Sequence, residues 1–212
     1  MPKPVYIALD VEAAGSRLGV HSTLSLGACV ITHEGLSFAE YRERGLVYYA
    51  EIKPDSPAFN SDAMRVGCSQ LQCLEEIRTT DKRYEATSEQ FSPPRVLTLM
   101  SRVCEDPRSA MRRFHAWIEK VADGREVVGV TDTVFFDSGR IDLCFGKFSD
   151  QPSPFGHRGL DLTSLYRGYR LDTRAKLKEL AVIDWRSKPH RADEDAIYLA
   201  QIGKVLLLDI MG

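Results

Sequence analysis

The sequence lacks any stretch that could cross a membrane. Its longest apolar runs, residues 5–9 and 205–208, are far shorter than the roughly 20 residues that a transmembrane helix needs. The first four residues lead directly into a run of strand length and show no cleavable signal sequence. We therefore expect an intracellular, cytoplasmic protein without a membrane partner.

The sequence also lacks a cysteine framework. It has five cysteines, an odd number, and no Cys-x-x-Cys pair. A disulfide scaffold or a zinc ribbon would need an even set or closely spaced pairs. We expect all five to be reduced thiols.

A strong excess of one charge is absent as well. The 212 residues include 28 Lys and Arg against 30 Asp and Glu, which gives a formal net charge of −2. This balance excludes a globally basic nucleic-acid coat protein, but it leaves room for a small basic groove along a phosphate backbone. With 43% hydrophobic residues the chain can bury its own core, and we expect one domain over residues 1–212.

What the sequence does contain is an ordered series of strand and helix patterns. Residues 5–9, 22–31 and 45–52 are rich in β-forming side chains, and nothing of helix length separates them, which predicts three antiparallel strands. A polar, irregular segment follows and predicts an insertion around 76–107. The remaining patterns predict helices at 97–104, 109–122, 175–181 and 192–208, and strands at 126–130 and 160–162. The predicted fold class is α/β: a mixed five-stranded sheet, three antiparallel strands and then parallel strands, flanked by helices.

Two carboxylates end the first predicted strand. Because side chains alternate along a strand, Asp10 and Glu12 point to the same face at the sheet edge. About one Asp-x-Glu triplet is expected by chance in a chain of this composition, so the position of this one after a central strand gives it weight. A solvated strand end is the alternative interpretation.

An acid also lies on the apolar face of the last predicted helix. Asp195 is in line with Leu199 and Ile202 at helical spacing. A buried carboxylate must pair with a base, stay protonated or bind a metal. The alternative is that acids simply enrich the first helical turn, where negative charge suits the helix dipole, and we assign Asp193 and Glu194 to that role.

Two further residues lie where the chain leaves the predicted sheet. Asp137 follows the fourth strand, and His190 precedes Asp195 by five residues. A helix N-cap would account for the first and an exposed loop for the second. Together with Asp10 and Glu12 they would converge at one edge of the sheet. Divalent cations that prefer oxygen ligands would neutralise such a cluster.

Three motifs resemble those of the DEDDh group of the DnaQ-like 3′-5′ exonucleases, which have an RNase H-like fold. They are Asp10-Val11-Glu12-Ala13-Ala14-Gly15, Phe136-Asp137 and His190-Arg191-Ala192-Asp193-Glu194-Asp195-Ala196. The likeness extends over almost the whole chain. Two departures stand out: Ala13 and Ala14 replace the small hydroxyl residues often found there, and the usual His-Asn of the second motif is missing. Asp132 is therefore an alternative to Asp137 as the acid of the second motif.

The resemblance implies a metal-dependent 3′-5′ exonuclease that releases nucleoside 5′-monophosphates from single-stranded DNA or RNA ends. Two Mg²⁺ or Mn²⁺ ions roughly 4 Å apart would promote the hydrolysis. The implied roles are that Asp10 bridges both ions, Glu12 and Asp195 hold the ion that activates water, Asp137 holds the ion at the leaving 3′ oxygen, and His190 accepts the proton of the attacking water.

The resemblance also implies contacts with the substrate. The backbone at Ala13 would meet the terminal nucleotide, and Arg17, Lys188 and Arg191 are candidate phosphate contacts, with surface solvation as the alternative for each. The expected partner is a nucleic-acid 3′ end, and a homodimer or a polymerase or repair partner is compatible with the family.

Two other functions compete with the nuclease. A module of the same fold could hold a nucleic-acid end or recruit a partner without cutting, but all five catalytic positions are intact. A dinucleotide-dependent enzyme would need Gly-x-Gly-x-x-Gly after the first strand, where this chain has Gly15 and Gly19 alone.

Overall fold

A mixed sheet of five strands forms the centre of the protein. The computed structural model describes residues 3–212. The strands are β1 (Val5–Ala13), β2 (Thr23–Val30), β3 (Val47–Glu51), β4 (Val127–Thr131) and β5 (Gly159–Asp161), in the spatial order β3-β2-β1-β4-β5. β1, β2 and β3 pair antiparallel, whereas β4 pairs parallel with both β1 and β5. The predicted fold class is confirmed.

Eight α-helices flank this sheet within the described range. They are α1 (Phe38–Glu43), α2 (Ser61–Gly67), α3 (Ile77–Thr80), α4 (Pro93–Val103), α5 (Pro107–Ala122), α6 (Asp137–Phe148), α7 (Leu162–Arg170) and α8 (Ala192–Gly203). A π-helical turn, Lys204–Ile210, continues α8, and short 3₁₀ helices cover Gln72–Leu74, Lys82–Tyr84 and Leu177–Leu180. No helix in the part of the chain that the structure describes has the length and hydrophobicity that a membrane crossing requires.

The two faces of the sheet carry separate cores because the side chains of β1 alternate. Ile7, Leu9 and Val11 pack with α5 and α6, where Phe114 is fully buried. Ala8 faces the other side and packs with α7 and α8. Each fully buried large apolar side chain contributes roughly 1.5–3 kcal/mol, so both helical layers hold the sheet firmly.

The chain between β3 and α5 forms a third cluster of buried side chains. Met64, Leu74, Val96 and Met100 pack together there and against Leu24 of β2. The excursion predicted around 76–107 lies within this segment, to which α2 also belongs. The segment therefore borders the loop that follows β1.

The structure corrects several predicted elements. β1 continues to Ala13, so its acids lie inside the strand rather than at its end. A six-residue helix, α1, separates β2 from β3, and its Ser37–Glu40 capping box is a signal that the prediction of uninterrupted strands missed. α7 was not predicted, and residues 175–181 form a single 3₁₀ turn rather than a helix.

Candidate active site

β1 presents Asp10 and Glu12 on the sheet face that α8 covers. Across the ladder to β2, Asp10 is paired with Gly27 and Glu12 with Ser25. Both acids are half-buried, so the alternative of a solvated strand end is wrong. The next step of the sheet register, between Glu12 and Ala13, is irregular and ends the regular pairing of the strand.

α8 comes close to these acids because the strand beneath it has a glycine. A Cβ on Gly27 would overlap the backbone carbonyl of Ala192, the first residue of α8. The missing side chain lets the helix N-terminus rest directly on the sheet beside Asp10. Asp195, one turn into the helix, is thereby carried to the same place.

Asp195 and His190 complete one side of the cluster. Oxygen and ring-nitrogen atoms of Glu12, His190 and Asp195 all lie within 4.8 Å of one another. Oδ2 of Asp195 accepts a hydrogen bond of 3.1 Å from the backbone N–H of His190, which has a left-handed backbone with φ 67°. His190 is exposed and in a loop, as the alternative interpretation held, but its imidazole faces two acids.

Asp137 completes the other side. β4 runs parallel to β1, so the chain that leaves its carboxyl end returns to the edge where Asp10 lies. Asp137 is buried and its Oδ1 accepts a hydrogen bond of 3.3 Å from the backbone N–H of Val11. The helix cap is Phe136, so the N-cap interpretation of Asp137 is wrong. The rival Asp132 is exposed.

Burial raises the pKa of each of the four carboxylates, and neighbouring acids add to the effect at Asp10, Glu12 and Asp137. Burial, followed by the charges of Glu12 and Asp137, raises the pKa of Asp10 well above its usual range. Burial together with Asp195 and Asp137 raises the pKa of Glu12 to about 8. Burial, with Asp132 as the next cause, raises the pKa of Asp137 to about 7. Burial also raises the pKa of Asp195, against the opposing effect of Arg186.

This donor set fits divalent cations. Within residues 3–212, Oδ2 of Asp10 is buried and has no hydrogen-bond partner. A buried acceptor without a donor is costly unless a cation or a proton supplies the missing interaction. Carboxylate oxygens in this number are ligands that Mg²⁺ and Mn²⁺ prefer. Asp10, Glu12, Asp137 and Asp195 are therefore the residues that could hold such ions.

The predicted substrate contacts have different surroundings. Ala13 is buried at the end of β1. Arg17 is exposed on the loop between β1 and β2. Lys188 forms an ion pair of 2.5 Å with Glu75, and Arg191 pairs with Asp193 at 2.7 Å. These two cations have carboxylate partners, whereas the Arg17 side chain is exposed to solvent.

Two arginines near the site were missed by the sequence analysis. Arg140 is fully buried and donates to the backbone carbonyls of Gly15 and His21, which fixes the loop after β1. Arg186 donates to Oδ1 of Asp195 at 2.8 Å. Arg140 lies one helical turn after Asp137, a spacing that could have revealed it. Arg186 lies in an irregular loop, where spacing carries no such signal.

Asp193 and Glu194, the acids next to Asp195, make side-chain contacts in addition to their place at the helix N-terminus. Asp193 and Glu194 do lie in the first turn, but both are buried. Arg42 of α1 donates to Asp193 at 3.0 Å and lies 3.5 Å from Glu194. Glu194 also accepts hydrogen bonds from Ser187 and from the backbone N–H of Lys188.

Comparisons with known proteins identify one curated relative but no family profile. No protein-family profile matches the chain. The 3′-5′ DNA exonuclease Cap18 of Escherichia coli is 28% identical in an alignment of 211 positions that covers 96% of this chain and 92% of that protein.

Solved structures show the same architecture. The nuclease domain of 3′hExo, a DEDDh family member bound to rAMP, superposes with a TM-score of 0.65 at 12% identity over 97% of this chain and 92% of that one. The chain has the RNase H-like fold of the DEDDh exonucleases. The resemblance predicted from the sequence is thereby confirmed.

A second solved structure extends the agreement. E. coli ExoI in its zinc-bound complex with single-stranded DNA superposes with a TM-score of 0.64 at 12% identity, over 99% of this chain and 41% of that one. This chain thus corresponds to less than half of that longer enzyme.

Proposed function

We propose that the protein is a metal-dependent 3′-5′ exonuclease that acts on single-stranded DNA or RNA and releases nucleoside 5′-monophosphates. The observation that carries the proposal is the convergence of Glu12, Asp137 and Asp195 on Asp10, whose buried Oδ2 has no hydrogen-bond partner among residues 3–212. The name of the E. coli relative supports the reaction and its 3′-5′ direction. The chain would then be one exonuclease domain over residues 1–212, with the segment around 76–107 as an extension.

In this proposal the four carboxylates hold two ions, Mg²⁺ or Mn²⁺. Bound there, the ions supply Lewis-acid polarisation of the scissile phosphate and charge stabilisation of the attacking and leaving oxygens. Asp10, whose pKa is raised by burial and then by the charges of both Glu12 and Asp137, is the residue that would contribute to both ion sites. The raised pKa values mean that cations compete with protons for these oxygens.

His190 is the proposed general base. Its imidazole is exposed to solvent and lies beside Glu12 and Asp195, so a water molecule at this edge of the site can be reached from the ring. The ring would accept the proton of the attacking water, and the hydrogen bond from the His190 backbone to Asp195 orients the loop. Nothing in this step needs a long substrate.

Exposed side chains near the site would suit the flexible end of a single-stranded nucleic acid. Phe135 is 89% exposed two residues before Asp137, and Leu18 is 45% exposed on the loop after β1. An exposed aromatic ring such as that of Phe135 gives nucleobases a surface to stack on, and an aliphatic side chain such as Leu18 can add van der Waals contact. Together with Arg17 as a phosphate contact, they support binding of a short single-stranded segment.

A catalytically silent nucleic-acid-binding module is less favoured. Such a module would not need to keep five mutually repelling or strained polar residues at one edge of the sheet. The complete set of four acids and His190 lowers the stability of the metal-free fold. A set with such a cost is most readily maintained where it is needed for catalysis.

The test is hydrolysis of matched oligonucleotides. Single-stranded DNA and RNA labelled at the 5′ end, with and without a blocked 3′ end, are incubated with Mg²⁺, Mn²⁺ or chelator. The proposal predicts stepwise shortening from the unblocked 3′ end, dependent on metal, with 5′-monophosphates as products. Asp137→Asn serves as the matched inactive control. Internal cutting, or equal activity of that variant, would refute the proposal.

A further inference from the structure

The loop that carries His190 is attached to the first turn of α8 through Glu194. This loop, residues 184–190, has irregular backbone and ends at the left-handed His190. Oε2 of Glu194 accepts a hydrogen bond of 2.7 Å from the backbone N–H of Lys188, and Oε1 accepts one of 2.8 Å from the hydroxyl of Ser187. The two oxygens of one side chain thus hold two consecutive residues of the loop.

These bonds are unusual for the position of Glu194 in its helix. An acid at the third helical position ordinarily reaches back to the backbone N–H of the cap residue. Here the cap is Arg191, and the Glu194 carboxylate instead reaches Lys188, three residues further upstream. The two shortest hydrogen bonds of the Glu194 carboxylate therefore go to the loop and not to the backbone at the helix end.

The burial of Glu194 strengthens its hydrogen bonds to the loop, and its role in holding the loop can be tested apart from the ion pair of Arg42. The residue is 4% exposed, and hydrogen bonds to a buried carboxylate are worth more than those at the surface. Arg42, its charged neighbour, lies nearer to Asp193 than to Glu194. Replacing Glu194 with Gln would leave Arg42 paired, and the amide would keep one of the two acceptor oxygens.

We propose that Glu194 is a positioning residue: its carboxylate fixes the loop 184–190 so that the His190 imidazole faces Glu12 and Asp195. The inference rests on the proposed exonuclease function. It assigns to Glu194 no contact with substrate or metal. The neighbouring Asp195 reaches the loop through the backbone N–H of His190 and through the Arg186 guanidinium. Loss of the Glu194 carboxylate would therefore free the backbone between these two contacts, at residues 187 and 188.

A double-mutant cycle tests this role. Glu194→Gln should lower kcat roughly 10- to 100-fold, the cost of misplacing a catalytic group by about 1 Å, and should leave KM within about twofold. In a His190→Ala background the same substitution should have no further effect, because the group that it positions is gone. Ser187→Ala, an exposed and milder change, should show a smaller loss with the same dependence on His190.

Two controls separate this role from a general loss of structure. Glu40 occupies the same third position in α1 and accepts from the N–H and hydroxyl of Ser37 at 2.8 and 2.7 Å, so Glu40→Gln is a matched change away from the site. It should leave kcat unchanged. In the metal-free protein, deuterium exchange of residues 184–190 should accelerate in Glu194→Gln and stay unchanged in Glu40→Gln.

The outcomes distinguish this inference from the proposed function. If the wild type does not hydrolyse oligonucleotides, the proposed function fails and the inference falls with it. If the wild type is active but Glu194→Gln keeps full kcat, or slows the His190→Ala enzyme as much as the wild type, the inference alone is overturned.

Discussion

The Asp10 carboxylate destabilises the metal-free fold but favours the binding of a metal ion. Its carboxylate lies among Glu12, Asp137 and Asp195, and one of its oxygens is buried without a partner within the described range. The folded state brings these charges together, whereas the unfolded chain separates them. A residue that destabilises the metal-free fold in this way is expected where a ligand supplies the compensation.

Replacing Asp10 with Asn should therefore change stability in opposite directions with and without metal. In chelator the variant keeps the shape and removes one charge, so its free energy of unfolding should rise by on the order of 1 kcal/mol, or roughly 2–4 °C in Tm. In excess Mg²⁺ or Mn²⁺ the wild type should become the more stable, because ions that bind the native state stabilise it by mass action. Thermal unfolding curves in both conditions check the prediction. A variant that melts lower in chelator, beside a wild type that gains nothing from metal, would contradict it.

At the scale of secondary-structure elements, the site depends on how closely α8 approaches the sheet. The sequence predicted the helix and the face that carries Asp195, because helical periodicity is a local property. It could not predict that Gly27, far away in the chain, makes room for Ala192. The same reason explains why the roles of Arg186 and Glu194 were missed: both act through an irregular loop that follows no repeat.

Other elements were predicted or missed for equally local reasons. The five strands were recovered since β-rich runs of strand length mark them. α1 and α7 were missed although each has a side-chain cap, Ser37 and Asp161, because both helices are short and α7 follows a strand directly. The Asp10-Val11-Glu12 and His190 to Ala196 motifs identified Asp10, Glu12 and Asp195 as candidates, but only the fold shows that the two strand acids lie on the sheet face that α8 covers.

Gly27→Ala should disturb the site without touching any of its side chains. The added methyl group would collide with the backbone of Ala192, so α8 must shift or tilt. We expect a loss of about 1–3 kcal/mol in the free energy of unfolding, typical of overpacking, and a fall in exonuclease activity beyond what that loss explains. Urea unfolding and oligonucleotide assays measure the two effects.

Gly146→Ala is the matched control. A Cβ at Gly146 in α6 meets nothing within 4 Å, and alanine favours a helix over glycine by roughly 1 kcal/mol. This variant should be equally or more stable and fully active. If Gly27→Ala behaved in the same way, close approach of α8 would not be what assembles the site.

At the scale of the whole molecule, a chain with a net charge of only −2 concentrates uncompensated acid at one edge of its sheet. Many other acids are paired with arginine or lysine, as in the contacts of Asp55 with Lys147 and of Asp184 with Arg186. The pKa values of these paired acids are lowered. The two groups of acids therefore titrate in different pH ranges.

This separation predicts how the stability of the metal-free protein depends on pH. Paired acids stabilise the fold above the usual carboxylate range, so their contribution is complete by about pH 5.5. Glu12 and Asp137 have pKa values raised to about 8 and about 7, so in the folded state they retain protons that the unfolded chain has lost. The stabilisation of the folded state that comes from Glu12 and Asp137 is complete below about pH 4, where both states are protonated. It is lost as the pH rises toward 8, because ionisation then favours the unfolded chain. Stability in chelator should accordingly fall between pH 5.5 and 8.

Denaturant unfolding in chelator across that range measures the effect. Asp137→Asn isolates the site from the rest of the molecule, because the difference between variant and wild type cancels the groups that they share. The fall with pH should be shallower in the variant. Equal slopes, or wild-type stability that rises with pH relative to the variant, would show that Asp137 does not titrate as the structure indicates.

The most direct test of the central claim is the position of bound metal. Crystals of the protein soaked with Mn²⁺ and a nucleoside 5′-monophosphate, measured at the manganese absorption edge, should show two anomalous peaks roughly 4 Å apart. Asp10 should contact both, with Glu12 and Asp195 at one and Asp137 at the other. No peak among these carboxylates, or manganese bound elsewhere while they remain free, would contradict the assignment of this edge of the sheet as a metal-dependent nuclease site.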